Sequence, residues 1–296
     1  MIFEKICNWI VGIQIKGFEK LHLGRTILAL SVVQWEFNYS FYSKLNIINP
    51  LCSRYKRYIA EYIKNNPVDQ QSEKPIAIVT GANSGIGYST SKALMLAGFH
   101  VIFACRNEDL AIKAITKIKK KTNLENCEFM QLDLSSFEIM MCPYMKTKDG
   151  IEMQFGTNHV GHFILTNNLL DVLKRSAPAR VINVASLGHI YSDSTVDKIK
   201  ERVTDPNKYN RLRAYENSKI ANIMFSTILA KNLSDTGVVV HSLHPGLVNT
   251  KLQRYLLFDS NFIMKLAKMI ALLSPTAGSL TSIKLALSPE FEKVSG

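Results

Sequence analysis

Thr80-Gly81-Ala82-Asn83-Ser84-Gly85-Ile86-Gly87 follows a short apolar run, Ile76 to Thr80, and leads into a helical one. Glycines at such a junction bring bare backbone N–H groups against a pyrophosphate, and the helix N-terminus adds its positive end. A glycine pattern alone is weak evidence, with a plain tight turn as its rival. Between a buried strand and a helix it is strong. The next apolar run ends in Ala104-Cys105-Arg106-Asn107, where an acidic residue would hold a ribose 2′-hydroxyl. Arg106 instead offers a planar cation suited to a phosphate. It favours NADP(H) over NAD(H), the other reading being an exposed surface arginine. Asp133-Leu134 ends a third run, where a carboxylate can accept a bond from an adenine amino group, cap the next segment, or do both.

Tyr215-Glu216-Asn217-Ser218-Lys219 sets a phenol and an ammonium at i and i+4, on one helical face. A free phenol titrates near pH 10. A neighbouring ammonium and an oxidised nicotinamide ring favour its anion and so fit Tyr215 for acid–base work. Ser186 closes the strand before that helix, and ligands of open α/β sheets sit beyond the carboxyl ends of strands. Ser186 can there donate a hydrogen bond to a carbonyl oxygen; taken alone it also reads as a strand-end cap.

Elements at regular intervals must position these groups. Strand-like runs span Ile76–Thr80, His100–Cys105, Cys127–Asp133, Ala179–Ser186 and Val238–His244. Helical patterns cover Ser89–Ala97, Glu108–Lys121, Gly150–Arg175, Arg211–Leu233, Asn261–Leu273 and Thr276–Leu287. Strand–helix alternation of this kind predicts right-handed crossovers and a parallel sheet, an α/β fold. Lys119–Lys121 reads as the end of a helix, where cations complement the dipole. His159, His162, His189 and His244 flank the chemistry without metal-ligand spacing and read as packing or pocket-lining residues.

The chain has 296 residues, 47% apolar and 20% charged, enough to bury a core. Its five cysteines form no C-x-x-C pair, which argues against a zinc cage or a disulfide framework and for a reducing compartment. The net charge of +12 is spread along the chain and reads first as a solvated basic surface. No nucleic-acid-binding motif accompanies it, so no nucleic-acid partner is expected. Residues 1–73 differ from the rest and read as an N-terminal extension to a domain over 74–296. Ile6–Ile15 and Thr26–Trp35 are apolar but far short of the ~20 residues that span a bilayer. They suit either contact with a membrane surface or docking on the domain. Arg54–Lys64 is basic, aromatic and helical in pattern.

Taken together, Lys74 to Gly296 resembles the short-chain dehydrogenase/reductase superfamily. The glycine loop, Asn158 within Thr157-Asn158-His159-Val160-Gly161-His162-Phe163, Ser186, Tyr215 and Lys219 stand in that family's order. Pro245-Gly246-Leu247-Val248-Asn249-Thr250 matches its loop over the nicotinamide. Met140-Met141-Cys142-Pro143-Tyr144 and Arg180–Ser186 look like the retinol dehydrogenase group, which works on retinoids and related lipid alcohols and aldehydes, often membrane-attached, mostly with NADP(H). The resemblance implies a doubly wound, Rossmann-type domain. It implies cofactor contacts from Gly81, Asn83, Ser84, Gly85, Ile86, Gly87, Arg106, Asp133, Leu134, Tyr215, Lys219, Pro245, Gly246, Val248 and Thr250. It gives Tyr215 the proton transfer and Ser186 the hold on the substrate oxygen. Lys219 would tune Tyr215 and bind the nicotinamide ribose, and Asn158 would support a water linking Lys219 to solvent. It further implies a small lipophilic, retinoid-like substrate and a homodimer through the Asn158 and Tyr215 helices. The expected location is a membrane of the endoplasmic reticulum or mitochondrion, with the cytoplasm as the alternative.

Two departures stand out. The family places a helix and a fourth strand ending in Asn-Asn-Ala-Gly between the third strand and the Asn158 helix. Here Asn158 follows Asp133 by 158 − 133 = 25 positions, and no Asn-Ala-Gly precedes it. A helical crossover alone needs about ten to twelve residues, so helix, strand and the loop around Pro143 do not all fit. The expectation is that the first and fifth strands close up or that Ile139–Met145 fills the gap poorly. A skipped coding segment or a faulty gene assignment would produce such a join at Glu138–Ile139. The second departure is that the sequence stops at Lys293-Val294-Ser295-Gly296, where the family usually adds a last strand. Both lead to the expectation of an oxidoreductase with impaired or absent turnover.

Overall fold

A computed structural model describes residues 50–66, 74–134, 142–250 and 272–296. Ile6–Ile15, Thr26–Trp35, the Glu138–Ile139 join and most of Asn261–Leu273 lie outside these residues. The domain is an α/β, Rossmann-type assembly of parallel strands and flanking helices. In chain order it contains α1 (Pro50–Asn65), β1 (Ile76–Thr80), α2 (Gly85–Leu96), β2 (His100–Cys105), α3 (Glu108–Thr122) and β3 (Cys127–Gln131). After the gap come α4 (Gly161–Arg175), β4 (Ala179–Val184), α5 (Val196–Thr204), α6 (Arg211–Asn232), β5 (Val238–Leu243), α7 (Pro275–Gly278) and α8 (Leu280–Leu287).

Local chemistry explains the elements. Strand β2 is an unbroken apolar run buried on both faces, as the centre of a parallel sheet requires. Helix α3 starts where Asn107 Oδ1 accepts the Leu110 N–H at 2.8 Å, with Glu108 and Asp109 in its first turn. It ends in Lys119–Lys121 and a left-handed Asn123. The Thr276–Leu287 pattern divides into α7 and α8 at Ser279. The Gly150–Arg175 stretch becomes a turn over Met153–Phe155, a π-helical segment over Gly156–Val160, and α4. Helix α5 and the 3-10 turn Leu187–Tyr191 have no counterpart in the sequence reading.

The sheet comes in two pieces. Strands β1, β2 and β3 pair in parallel in the order β1-β2-β3, and β4 pairs in parallel with β5. Among the described residues no strand lies between β3 and β4, and β1 pairs on one side alone. The inner edges therefore did not close up by pairing. The consequence is visible in solvent exposure: Ile76 and Ile78 on β1 are 66% and 40% exposed, while Val101 and Phe103 on β2 are fully buried. At the other edge, Gly296 N–H donates to Val240 O at 2.9 Å and Ser295 Oγ accepts the Val240 N–H, so these residues lie along β5.

Helix α1 is not detached from the domain. Ile59 is buried in the core, and Tyr55, Tyr58 and Tyr62, spaced along the same face, pack around it. The Tyr62 ring stands 5.2 Å from that of Phe99. The basic residues of α1, Arg54, Lys56, Arg57 and Lys64, stay exposed.

Candidate active site

The glycine loop has the shape of a phosphate cradle. Gly81 and Gly85 have φ of +62° and +58°, a region that disfavours any side chain. A Cβ on Gly87 would meet Gly81 O at 2.5 Å, so the loop folds back tightly on the start of α2. Ser84 is the N-cap of α2 but makes no side-chain capping bond, and the first turn carries no acid. The positive end of α2 is thus left to an anionic ligand. Thr250 packs on Gly85, within 3.3 Å of where a Cβ would sit, which brings the 245–250 loop to the glycine loop. These residues fit a dinucleotide: Gly81 and Gly85 hold backbone angles that side chains disfavour, Gly87 has no room for one, and the start of α2 offers backbone N–H donors.

The strand ends line up around it. Thr80 pairs with Ala104, and Cys105 pairs with Gln131, so Gly81, Arg106 and Asp133 leave the same edge of the first sheet piece. Arg106 follows β2 directly and is exposed. Cys105, its neighbour, is buried beneath the loop and accepts backbone N–H bonds from Asn83 and Ala82; burial pushes its thiol up. Leu134 packs instead on Gly161 at the start of α4. His162, one residue on, sits 3.3 Å from Thr80 Oγ1. The start of α4 therefore lies across the ends of β1 and β3. Val248 turns its side chain onto Gly278 and is buried there.

The candidate acid–base groups lie beyond the end of β4. Ser186 caps the 3-10 turn, its Oγ accepting the Gly188 N–H at 3.2 Å. Gly188 faces both partners: a Cβ there would lie 3.6 Å from Ser186 Oγ and 3.7 Å from Tyr215 Cε1. Lys219, 2% exposed, donates through Nζ to Val184 O at 3.2 Å and stands 5.6 Å from the centroid of the Tyr215 ring. Asn158 lies on the π-helical segment. Its Nδ2 donates to Ser218 Oγ at 3.1 Å, and its carbonyl accepts from Asn222 Nδ2 at 3.0 Å. A π turn widens the helix and releases a carbonyl from the regular ladder, which is what presents Asn158 O to α6.

Asn222 and Glu216 were not legible as contributors in the residue pattern, whereas His159, His189 and His244 read there as packing or pocket-lining residues. Asn222 also reaches Val184 O at 3.3 Å and His159 Nδ1 at 2.9 Å, so it ties α6, β4 and the π segment together. Burial holds the His159 imidazole below its usual value, with its bond to Asn222 opposing. His189 Nδ1 sits 2.7 Å from Ser186 O, and His244 Nδ1 accepts the Leu187 N–H at 3.1 Å. These histidines are joints of the Ser186 loop. Glu216, 3% exposed, pairs with Arg213 at 3.3 Å, and burial raises its carboxyl to about 7. The one available signal for this network was that the run Tyr215–Lys219 is polar where a docked helix should be apolar.

Comparison with known proteins agrees with this geometry. The short chain dehydrogenase family matches residues 75–142. Human retinol dehydrogenase 14 is 36% identical over 258 residues, covering 74% of this chain and 76% of its own. Human polyprenol dehydrogenase is 35% identical over 260 residues, covering 78% of each. Among solved structures, the NADP complex of RhlG from Pseudomonas aeruginosa is similar in fold, with a TM-score of 0.58 and 22% identity. That likeness covers 75% of this chain and 92% of the other.

Proposed function

Because the chain belongs to the short-chain dehydrogenase family, we propose that it is an NADP(H)-dependent oxidoreductase acting on a lipophilic alcohol and its carbonyl, of the retinol/retinal class. The observation that carries this reading is the meeting of Ser186 and Tyr215 at Gly188, with Lys219 against the Tyr215 ring and a dinucleotide cradle at the end of β1. When bound, the nicotinamide supplies two-electron hydride chemistry. Tyr215 passes a proton to or from the substrate oxygen through its hydroxyl. Ser186 donates a hydrogen bond to the same oxygen, and Lys219 places its positive charge against the Tyr215 ring. Gly81, Asn83, Ser84, Gly85, Ile86 and Gly87 hold the pyrophosphate, with Pro245, Gly246, Val248 and Thr250 closing over the ring. Arg106 reads the 2′-phosphate and Asp133 the adenine.

A second reading is favoured by one observation, the split between β1 and β4. Positioning contributes about 7–11 kcal/mol to a barrier, and a shift of about 1 Å costs about a hundredfold. The chain would then be a slow or inactive relative that retains at most weak nucleotide binding. Self-association has its support in the apolar residues left exposed on two helices, Phe163 and Ile164 on α4, Met224 and Ile228 on α6. Membrane association rests on the apolar runs before residue 50; no helix of the described residues is long and apolar enough to cross a membrane.

Titration of the purified chain with each dinucleotide tests the cofactor. NADPH should bind at least about tenfold more tightly than NADH, since one charged contact is worth about 1.5–3 kcal/mol. Arg106→Glu should invert the order, and equal affinities would sink the assignment. Retinal reduction followed by NADPH consumption tests the reaction, and Tyr215→Phe should abolish whatever rate is seen. A rate that survives Tyr215→Phe excludes the mechanism; no rate in the parent selects the second reading.

A further inference from the structure

Asn217 stands between Tyr215 and Lys219 in sequence but grips a different part of the molecule. It is fully buried, and its amide makes two bonds to one residue. Nδ2–H donates to Asp193 Oδ2 at 2.9 Å, and Oδ1 accepts the Asp193 backbone N–H at 2.9 Å. The same carboxylate oxygen accepts from Arg202 Nε on α5 at 2.6 Å. A side-chain amide supplies a donor and an acceptor on two separate atoms. The dinucleotide chemistry itself asks for nothing at this position.

What the grip closes is the loop that begins at Ser186. At its near end, the Ser186 carbonyl meets His189 Nδ1 and its hydroxyl caps the 3-10 turn. At its far end, Asp193 is fastened to α6 by Asn217. Between them Gly188 lies against both Ser186 Oγ and the Tyr215 ring. Tyr215 belongs to α6 and Ser186 to the loop, so their spacing depends on how the loop is seated on that helix. Asn217 is an α6 residue that fastens the loop's far end.

Resting on the oxidoreductase reading above, we propose that Asn217 is a positioning residue: its paired bonds to Asp193 seat the Leu187–Tyr191 turn on α6 and hold Ser186 Oγ in register with Tyr215. It touches neither substrate nor cofactor. Its effect is on the alignment of the two groups that share the substrate oxygen, to which rates are steeply sensitive.

Amide hydrogen exchange of the full chain reads the seat without needing turnover. Asn217→Ala should speed exchange over Leu187–Asp193 at least about tenfold, the effect of losing bonds of this strength, and leave β1–β3 unchanged. Asn217→Asp should do the same, because it sets two carboxylates face to face. Should Asn217→Ala not fold, Asp193→Ala cuts the side-chain bond from the loop side and makes the same comparison. NADPH-dependent retinal reduction under enzyme excess reads the alignment. The variants should lose about ten- to a hundredfold in rate with NADPH affinity unchanged. Unaltered exchange in the variants overturns the seat. An unseated loop with an unchanged rate overturns the positioning role. A parent without turnover overturns the oxidoreductase reading and that role with it, while the exchange data still decide the seat.

Discussion

Residues 75–134 bury Met95, Val101, Phe103 and Ile118 in one apolar cluster that also takes in Ile59 of α1 and Ile283 and Leu287 of α8. Residues 142–250 have a smaller apolar cluster, built on Leu229, Leu233, Val238 and Val240. Much of what they bury besides is polar: Gln154, Asn158, Asn217, Ser218 and Lys219 are all 2% exposed or less. The half that carries the glycine loop is fixed by packing and leaves Ile76 and Ile78 of β1 exposed. The half that carries Ser186, Tyr215 and Lys219 is fixed by directed bonds, each with one geometry. Among the described residues the inner strands β1 and β4 each pair on one side alone, and the second half is the more sensitive, because bonds must keep their directions where packing can shift.

Breaking the apolar half should have the largest effect on stability. Phe103→Ala removes a fully buried ring at the centre of β2 and should cost about 3–5 kcal/mol, read as a lowered denaturation midpoint. A loss below 1 kcal/mol would mean that the first sheet piece is not the folded nucleus of the domain.

Next comes the buried carboxyl of Glu216, whose proton is held up to about 7 by burial, with Asp193 adding to the effect and Arg213 opposing it. A raised acid costs nothing below its unfolded value near 4.5 and penalises the fold increasingly as pH rises towards 7. Glu216→Gln should therefore leave stability nearly unchanged at pH 4.5 and raise it at pH 8 by on the order of 2–3 kcal/mol. An equal change at both pH values would show that the carboxyl is ionised at no unusual cost.

Restoring the neighbour sharpens the contrast directly. An insert of about two dozen residues between Glu138 and Ile139, forming a helix and a strand ending in Asn-Asn-Ala-Gly, should pair with both inner edges. NADPH-dependent retinal reduction should rise about a hundredfold or more, equivalent to about 2.7 kcal/mol of barrier. Full activity in the unrestored chain, dependent on Tyr215, would show that the bonded half holds its geometry unaided.

The smallest effect is expected inside the polar network. Asn222→Ala leaves the Asn158 and Val184 carbonyls without this donor and should cost about 1–3 kcal/mol. If directed bonds hold this half, the rate should fall more than stability does; a proportionate loss of both would place Asn222 among ordinary structural residues.

Residue order alone determined the α/β alternation, the glycine cradle at Gly81–Gly87, the Ser186–Tyr215–Lys219 constellation and the shortage of residues between Asp133 and Asn158. These are local: a buried strand is an apolar run, a cradle is a spacing of glycines, and a shortage of residues is a count. Tertiary structure decided how the strands pair. Among the described residues β1 and β4 each pair on one side alone, an outcome of packing between sheet pieces that no local pattern records. It also decided that α1 docks on the core, a choice between water and a partner surface that an amphipathic face leaves open. Above all it decided the partners of the polar run on α6. Asn217 and Asn222 each bond residues more than twenty positions away, and a side-chain amide declares in sequence that it needs a donor and an acceptor but not where they will be found.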